Sequence, residues 1–223
     1  MKKNKISKNW VIKKNKDFFF RQSKIKGYRS RSAFKLIEMN KKFKFLKKKL
    51  SLLDLGSCPG GWSQVAKKET INGKILAVDI KSMEKINNVD FIKGDFREGE
   101  IYEKIMVYFN NKADVVLSDM AANTSGNKAY DSYRTGDLCL NAMGLATKIL
   151  VKDGVFLSKL FMGSIYNEIN AKAKECFKKV VKYKPLSSKK ESKEIYIFCK
   201  GILKIWYIMQ QSLLTELWKK IFL

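Results

Sequence analysis

Short apolar runs separate longer mixed segments along most of the chain. SLLDLG (51–56), KILAVDI (74–80), VDFIKGD (89–95), ADVVLSD (113–119), GVFLSKLF (154–161) and EIYIFCKG (194–201) read as strands. KKVVKYK (178–184) reads as a seventh. Residues 29–40 place Ala33, Phe34, Ile37 and Met39 at helical spacing. The stretches 61–70, 97–110, 136–151 and 163–177 are also long enough for helices. Strands alternating with helices predict an α/β fold, with a mostly parallel sheet covered on both faces. Only residues 185–193 separate the last two strands, which predicts an antiparallel hairpin at one sheet edge, with one antiparallel strand as the edge strand.

The two ends differ from this pattern. Residues 1–27 form a basic N-terminal arm ending at Gly27, and residues 28–201 form the domain proper. Residues 202–223 are a hydrophobic extension in which Trp206, Met209, Leu213, Leu217 and Ile221 fall near one helical face. Its role is open: such a helix can dock on the domain or, as the alternative, contact a partner or a membrane surface.

Composition narrows the function. Of 223 residues, 46 are Lys or Arg against 21 Asp or Glu, a net charge of +25 with no histidine. The 45% apolar content and two prolines argue against a disordered chain. No run of 18 apolar residues suggests a membrane span, and the N-terminus has no apolar core of a signal peptide. A cytoplasmic location is expected. Cys58, Cys139, Cys176 and Cys199 are far apart, which argues against a structural zinc site or disulfide scaffold. Without histidine, Ser-His-Asp and Cys-His catalysis and any His-ligated metal are excluded. The charge predicts a polyanionic partner. A lysine-biased composition accounts for part of it, but the placement is telling. Lys13, Lys14, Lys16, Arg21, Lys24, Lys26, Arg29 and Arg31 alternate with Phe18, Phe19, Phe20 and Tyr28. Cations neutralise phosphates, and aromatic rings stack on unpaired bases.

The first strand runs into Ser57-Cys58-Pro59-Gly60-Gly61-Trp62. A glycine pair here lets backbone approach a ligand and opens the next helix. The stretch is neither GxGxxG nor a P-loop. Asp79 ends the second strand, where a carboxylate can accept from two ribose hydroxyls. Asp95 and Asp119 end the third and fourth strands, where they can meet an adenine amino group and an amino-acid ammonium. The carboxyl ends of four consecutive strands thus line one crevice, the usual ligand site of open α/β sheets. A ligand with ribose hydroxyls and a cationic amino acid suits it better than a pyrophosphate, which the acids would repel.

Six stretches carry a family resemblance: SRSAFKL (30–36), LDLGSCPGGWSQ (53–64), VDFIKGDFR (89–97), LSDMAANTSG (117–126), FLSKLF (156–161) and EIYIF (194–198). In this order they resemble the FtsJ/RrmJ family of S-adenosyl-methionine-dependent methyltransferases, which modify a ribose 2′-oxygen of large-subunit ribosomal RNA. The resemblance implies a Rossmann-like methyltransferase fold with a seven-stranded sheet. It implies a catalytic set of Lys35, Asp119, Lys159 and Glu194. It also implies cofactor contacts at Gly60, Trp62, Asp79, Asp95 and Asp119, with S-adenosyl-homocysteine as product. Two departures stand out. Ser57-Cys58 replaces the family's Ala-Ala, a change between small residues. Ala122 replaces a proline, which frees the loop after the fourth strand.

A ribose hydroxyl must approach the methyl carbon in line and lose its proton. Lysine is the best base available in a chain without histidine. Burial and a second ammonium favour the neutral amine, while Asp119 and Glu194 oppose it and orient the lysines. Lys159 is the expected base, with Lys35 and Glu194 as orienting groups. Transfer consumes the sulfonium charge, so no metal is expected. The expected substrate is a uridine in 23S ribosomal RNA within the large subunit, met by a monomer. The same chemistry on transfer RNA or another RNA is the nearest alternative. A non-catalytic RNA-binding assembly factor is the alternative from another class.

Overall fold

The computed structural model describes residues 17–110, 112–163 and 165–203. The arm through residue 16 and the extension from residue 204 lie outside the described residues. In chain order the elements are α1 (Phe18–Ile25), α2 (Ala33–Phe43), β1 (Ser51–Leu55), α3 (Gly61–Glu69), β2 (Lys74–Asp79) and β3 (Asp90–Lys93). They continue with α4 (Gly99–Phe109), β4 (Ala113–Ser118), α5 (Lys128–Ile149), β5 (Leu150–Phe161), α6 (Tyr166–Cys176), β6 (Phe177–Tyr183) and β7 (Glu194–Ile202).

The strands form one seven-stranded sheet in the order β3-β2-β1-β4-β5-β7-β6. The strands β1 to β5 pair in parallel. Their central members are buried almost throughout, which is why they read as continuous apolar runs. On one face lie α2 and α3, packing Leu36, Met39, Trp62 and Val65 against Leu52, Ile75 and Leu117. On the other lie α4, α5 and α6, packing Ile105, Phe109, Met143, Ala146 and Ile169 against Leu53, Leu76 and Val116.

The expected hairpin is present, but its antiparallel strand is not at the edge. β7 lies between β5 and β6, antiparallel to both. Residue chemistry accounts for the order. The apolar β7 is buried over nearly its whole length, while β6 carries Lys178, Lys179 and Lys182 and is largely open. Lysines on the outermost strand also discourage pairing with other chains.

Several element ends differ from the sequence pattern. Helix α2 starts at Ala33, because residues 29–32 turn and Arg29 is used elsewhere. Part of the expected arm is helical: Asp17 caps α1 by accepting from Phe20 N, and the Phe19 ring lies 5.5 Å from that of Phe34. Helix α5 begins eight residues earlier than its apolar spacing suggests. Its first turns are polar and aromatic, and Asn127 caps them by accepting from Ala129 N and Tyr130 N.

Two glycines within α5 make opposite predictions. A Cβ on Gly136 would lie 2.4 Å from Ile165 Cγ2, whereas one on Gly144 meets open space. Gly144→Ala should stabilise the protein by about 0.5–1 kcal/mol through helix propensity. Gly136→Ala should destabilise it by about 1–3 kcal/mol by forcing α6 away from α5. Urea unfolding of the two variants checks the contrast.

Candidate active site

The carboxyl ends of the parallel strands open onto a cavity of about 390 Å³. Its walls include Gly56, Asp79, Asp95, Asp119, Tyr133 and Lys159. The backbone turns sharply at Gly56, with φ +70°, and a Cβ there would meet Met120 Cγ at 2.3 Å. The turn therefore requires glycine where the loops after β1 and β4 cross.

Three of the expected cofactor residues reach the cavity. Asp79 accepts from Cys58 N and from Lys81 N, each at 2.8 Å, so backbone amides hold both of its oxygens. Asp95 is gripped by Arg97, whose Nη2 lies 2.6 Å from Asp95 Oδ2. That hydrogen bond, opposed by partial burial, holds the Asp95 carboxyl below its ordinary value. Asp119 follows β4 directly. Gly60 and Trp62 are placed otherwise. Gly60 caps α3 with φ +108° and faces Met83, Ile86 and Arg29. Trp62 is buried in the core, donating through Nε1 to Ser32 O at 2.9 Å. Its size and apolar surface favour packing between α2 and the sheet over the cavity wall.

The four expected catalytic side chains form two ion pairs. Lys159 Nζ lies 3.1 Å from Asp119 Oδ1 and also donates to the Asp119 main-chain carbonyl. Lys35 Nζ lies 2.6 Å from Glu194 Oε1. Between the pairs stands Tyr196, a residue the sequence reading passed over. Its hydroxyl donates to Asp119 Oδ1 at 2.8 Å, and Lys35 Nζ is 5.8 Å from its ring centroid. The missed signal was strand period: Glu194 and Tyr196 are two apart, so they share a face of β7. Across the ladder Lys159 pairs with Tyr196, and Phe161 with Glu194.

Burial pushes the Asp119 carboxyl up, but the ammoniums of Lys159 and Lys35 and the Tyr196 hydroxyl outweigh it. Asp119 is thus held below its ordinary value. Burial, then the charges of Asp119 and Glu194, push the Tyr196 phenol well above its ordinary value. The phenol therefore remains a donor.

The loop between β6 and β7 supports the second pair. Ser188 Oγ donates to Glu194 Oε1 at 2.8 Å, and Ser192 Oγ accepts from Glu194 N. Glu38 on α2 accepts from Leu186 N, Tyr183 Oη, Ser187 N and Ser187 Oγ. Arg31 ties Asp17 to the Ser187 carbonyl. The segment that starts with α1 therefore braces the loop behind Glu194. Among the described residues no helix is long and apolar enough to cross a membrane. Likewise, no cluster of acidic or cysteine side chains among them could hold a metal ion.

The geometry agrees with what the chain is similar to. Residues 28–202 match the family model of the FtsJ-like methyltransferases. A protein of Pelagibacter ubique named ribosomal RNA large subunit methyltransferase E is 51% identical over 200 residues, covering 90% of this chain and 98% of its own length. A protein of the same name from Rickettsia conorii is 42% identical, covering 86% and 87%. The crystal structure of a protein described as a ribosomal RNA methyltransferase from Plasmodium falciparum superposes with TM-score 0.71 at 35% identity, over 79% of this chain and 99% of that one. Human methyltransferase-like protein 13, solved in complex with SAH, shares the fold alone: its TM-score is 0.51 at 16% identity, over 82% and 88% of the two chains.

Beneath the cavity, Asp54 on β1 is fully buried. Ser63 Oγ donates to its Oδ2 at 2.6 Å, while Oδ1 has no partner among the described residues. Burial pushes its pKa up to about 7, against the Ser63 hydrogen bond and with help from the Asp119 and Asp79 charges. Between the ordinary carboxylate value and about 7, the folded protein keeps a proton that the unfolded chain has lost. Stability should therefore fall as pH rises through that window. Asp54→Asn removes the charge and keeps the shape. Its thermal midpoint should exceed that of the parent by a margin that widens from about pH 5 to about pH 8. A margin independent of pH would show that Asp54 is ionised throughout.

Proposed function

The chain belongs to the FtsJ-like methyltransferase family, and from that premise we propose that it transfers a methyl group from S-adenosyl-methionine to a ribose 2′-oxygen, that of a uridine, in large-subunit ribosomal RNA. The observation that carries this reading is the amine of Lys159, held against Asp119 at the cavity wall. The reaction takes place in the cytoplasm, and the enzyme acts as a monomer on RNA within the large subunit.

The cavity suits the methyl donor. Carboxylates at the ends of β2, β3 and β4, with Asp137 on α5, offer acceptors for a ligand that is cationic at one end and rich in hydroxyls at the other. Asp79 would take ribose hydroxyls, Asp95 the adenine amino group and Asp119 the ammonium. Asp119 is suited to this because the neighbouring cations keep it ionised despite burial. S-adenosyl-methionine supplies an electrophilic methyl group carried on a sulfonium.

The remaining work falls to the chain's own residues. Lys159 Nζ accepts the proton of the ribose 2′-hydroxyl in its neutral form. Asp119 aims that amine through Oδ1 and the main-chain carbonyl. Tyr196 in turn fixes the Asp119 carboxylate. Lys35 and Glu194 lie on the far side of Tyr196 and orient the acceptor ribose. Water exclusion matters, because both pairs are largely buried and their mutual attraction is stronger there than in solvent.

Labelled S-adenosyl-methionine, incubated separately with large subunits, small subunits and transfer RNA, tests the substrate. Label should enter large subunits alone, at a linkage that resists alkaline hydrolysis. Label in transfer RNA would keep the chemistry and overturn the substrate; no label in any RNA would favour an assembly factor. Lys159→Ala should lower the rate by about 10²–10⁴-fold and leave cofactor affinity unchanged. Full activity in that variant would remove Lys159 as the base.

The basic arm makes a separate prediction. Residues 1–16 hold seven lysines and no acid. Deleting residues 2–16 spares Asp17, which caps α1 and pairs with Arg31. Each lost phosphate contact should flatten the fall of log K with log salt by about 0.7–0.9. An unchanged slope would mean that the arm's charge is compositional.

A further inference from the structure

The first turns of α5 carry two tyrosines that the reaction above does not use. Tyr130 and Tyr133 are three residues apart and share one face of the helix. They are 53% and 56% exposed, and among the described residues neither hydroxyl has a hydrogen-bond partner. Tyr133 and Arg134 line the same cavity as Asp119 and Lys159. The Arg134 guanidinium lies 5.6 Å from the centroid of the Tyr130 ring. Met162, three residues beyond Lys159, adds a further exposed apolar side chain.

The helix start is fastened to the end of the catalytic strand. A Cβ on Gly163 would lie 2.4 Å from Ser132 Oγ, and that hydroxyl donates to Phe161 O at 3.4 Å. Asp131 accepts from both Ser125 N and Ser125 Oγ, and Thr135 Oγ1 accepts from Ala122 N. The two rings are therefore presented outward from a braced helix beside the reacting amine. Burying them would contribute to folding, so leaving both open has a cost unless a ligand covers them.

Resting on the RNA reading above, the chemistry of the ligand follows. A ribose hydroxyl reaches an enclosed amine only if its nucleotide is drawn out of helical stacking. The neighbouring bases then need new surfaces. Aromatic faces supply these for any base, and an adjacent guanidinium meets the linking phosphate. We propose that Tyr130 and Tyr133 form a stacking platform for the unpaired bases flanking the ribose presented to Lys159.

Titration of the full chain with a short single-stranded oligouridylate, read by fluorescence anisotropy, tests the platform without requiring methyl transfer. The double variant Tyr130→Ala, Tyr133→Ala should bind at least about tenfold more weakly, with an unchanged salt slope, because stacking rather than phosphate contact is lost. Its thermal midpoint should match that of the parent, and the single variant Tyr130→Ala, at a residue outside the cavity lining, should keep the parent's cofactor affinity. The double variant Tyr130→Phe, Tyr133→Phe keeps the rings and should bind as the parent does. Unchanged oligonucleotide affinity in the alanine variant would overturn the platform. So would phenylalanine variants as weak as alanine, or a parallel loss of cofactor affinity, which would give Tyr133 to the cofactor. Failure of large subunits to accept methyl groups would count against the substrate reading alone, since the titration does not depend on it.

Discussion

Across the antiparallel β5–β7 ladder, Lys159 pairs with Tyr196 and Phe161 with Glu194. That register is the constraint on which the site depends. It puts Lys159, Tyr196 and Glu194 at neighbouring positions of one face, so one tyrosine can touch Asp119 and also lie beside Lys35. Side chains alternate along a strand, and a slip of one residue would turn Glu194 and Tyr196 to the opposite face. The register is held by burial. Ile195, Ile197 and Cys199 face one core and Tyr196 and Phe198 the other, so a slip would exchange the two packing sets.

Electrostatically the protein is two systems. The whole carries +25, yet its cavity wall sets four carboxylates, Asp79, Asp95, Asp119 and Asp137, against four cations, Lys81, Arg97, Arg134 and Lys159. The positive exterior attracts a polyanion over several ångströms of solvent. Lys35 and Lys159 are cations brought inside the fold, and each has a carboxylate within 3.1 Å. Such pairs do not need to stabilise the fold. Here they hold the amines at fixed positions around a cavity whose shape is set by the strand ends and the tight turn at Gly56.

Helix α2 links this site to the chain before it. Lys35 points into the site, while Glu38, one turn later, holds the β6–β7 loop through four hydrogen bonds. Burial alone would raise the Glu38 carboxyl; the hydrogen bonds from Leu186, Tyr183 and Ser187 hold it below its ordinary value. Through Arg31 the same brace reaches Asp17 and α1. A segment read from its composition as an arm for RNA thus also has a structural part, beginning at Asp17.

The seven strands and the helices between them were legible in the sequence, because a parallel sheet covered on both faces demands continuous apolar runs at regular intervals. The acids at the strand ends were legible for the same reason, since the end of an apolar run marks the ligand side of the sheet. Motif order identified Lys35, Asp119, Lys159 and Glu194. Tertiary structure alone decided how those four pair, that Tyr196 stands between them, and that Trp62 serves the core. It also decided that the more apolar β7 lies inside and the lysine-rich β6 outside, and that Tyr133 lines one cavity with Lys159. Local pattern reports which face of an element is buried. Which distant elements meet, and in what register, depends on the packing of both sheet faces at once.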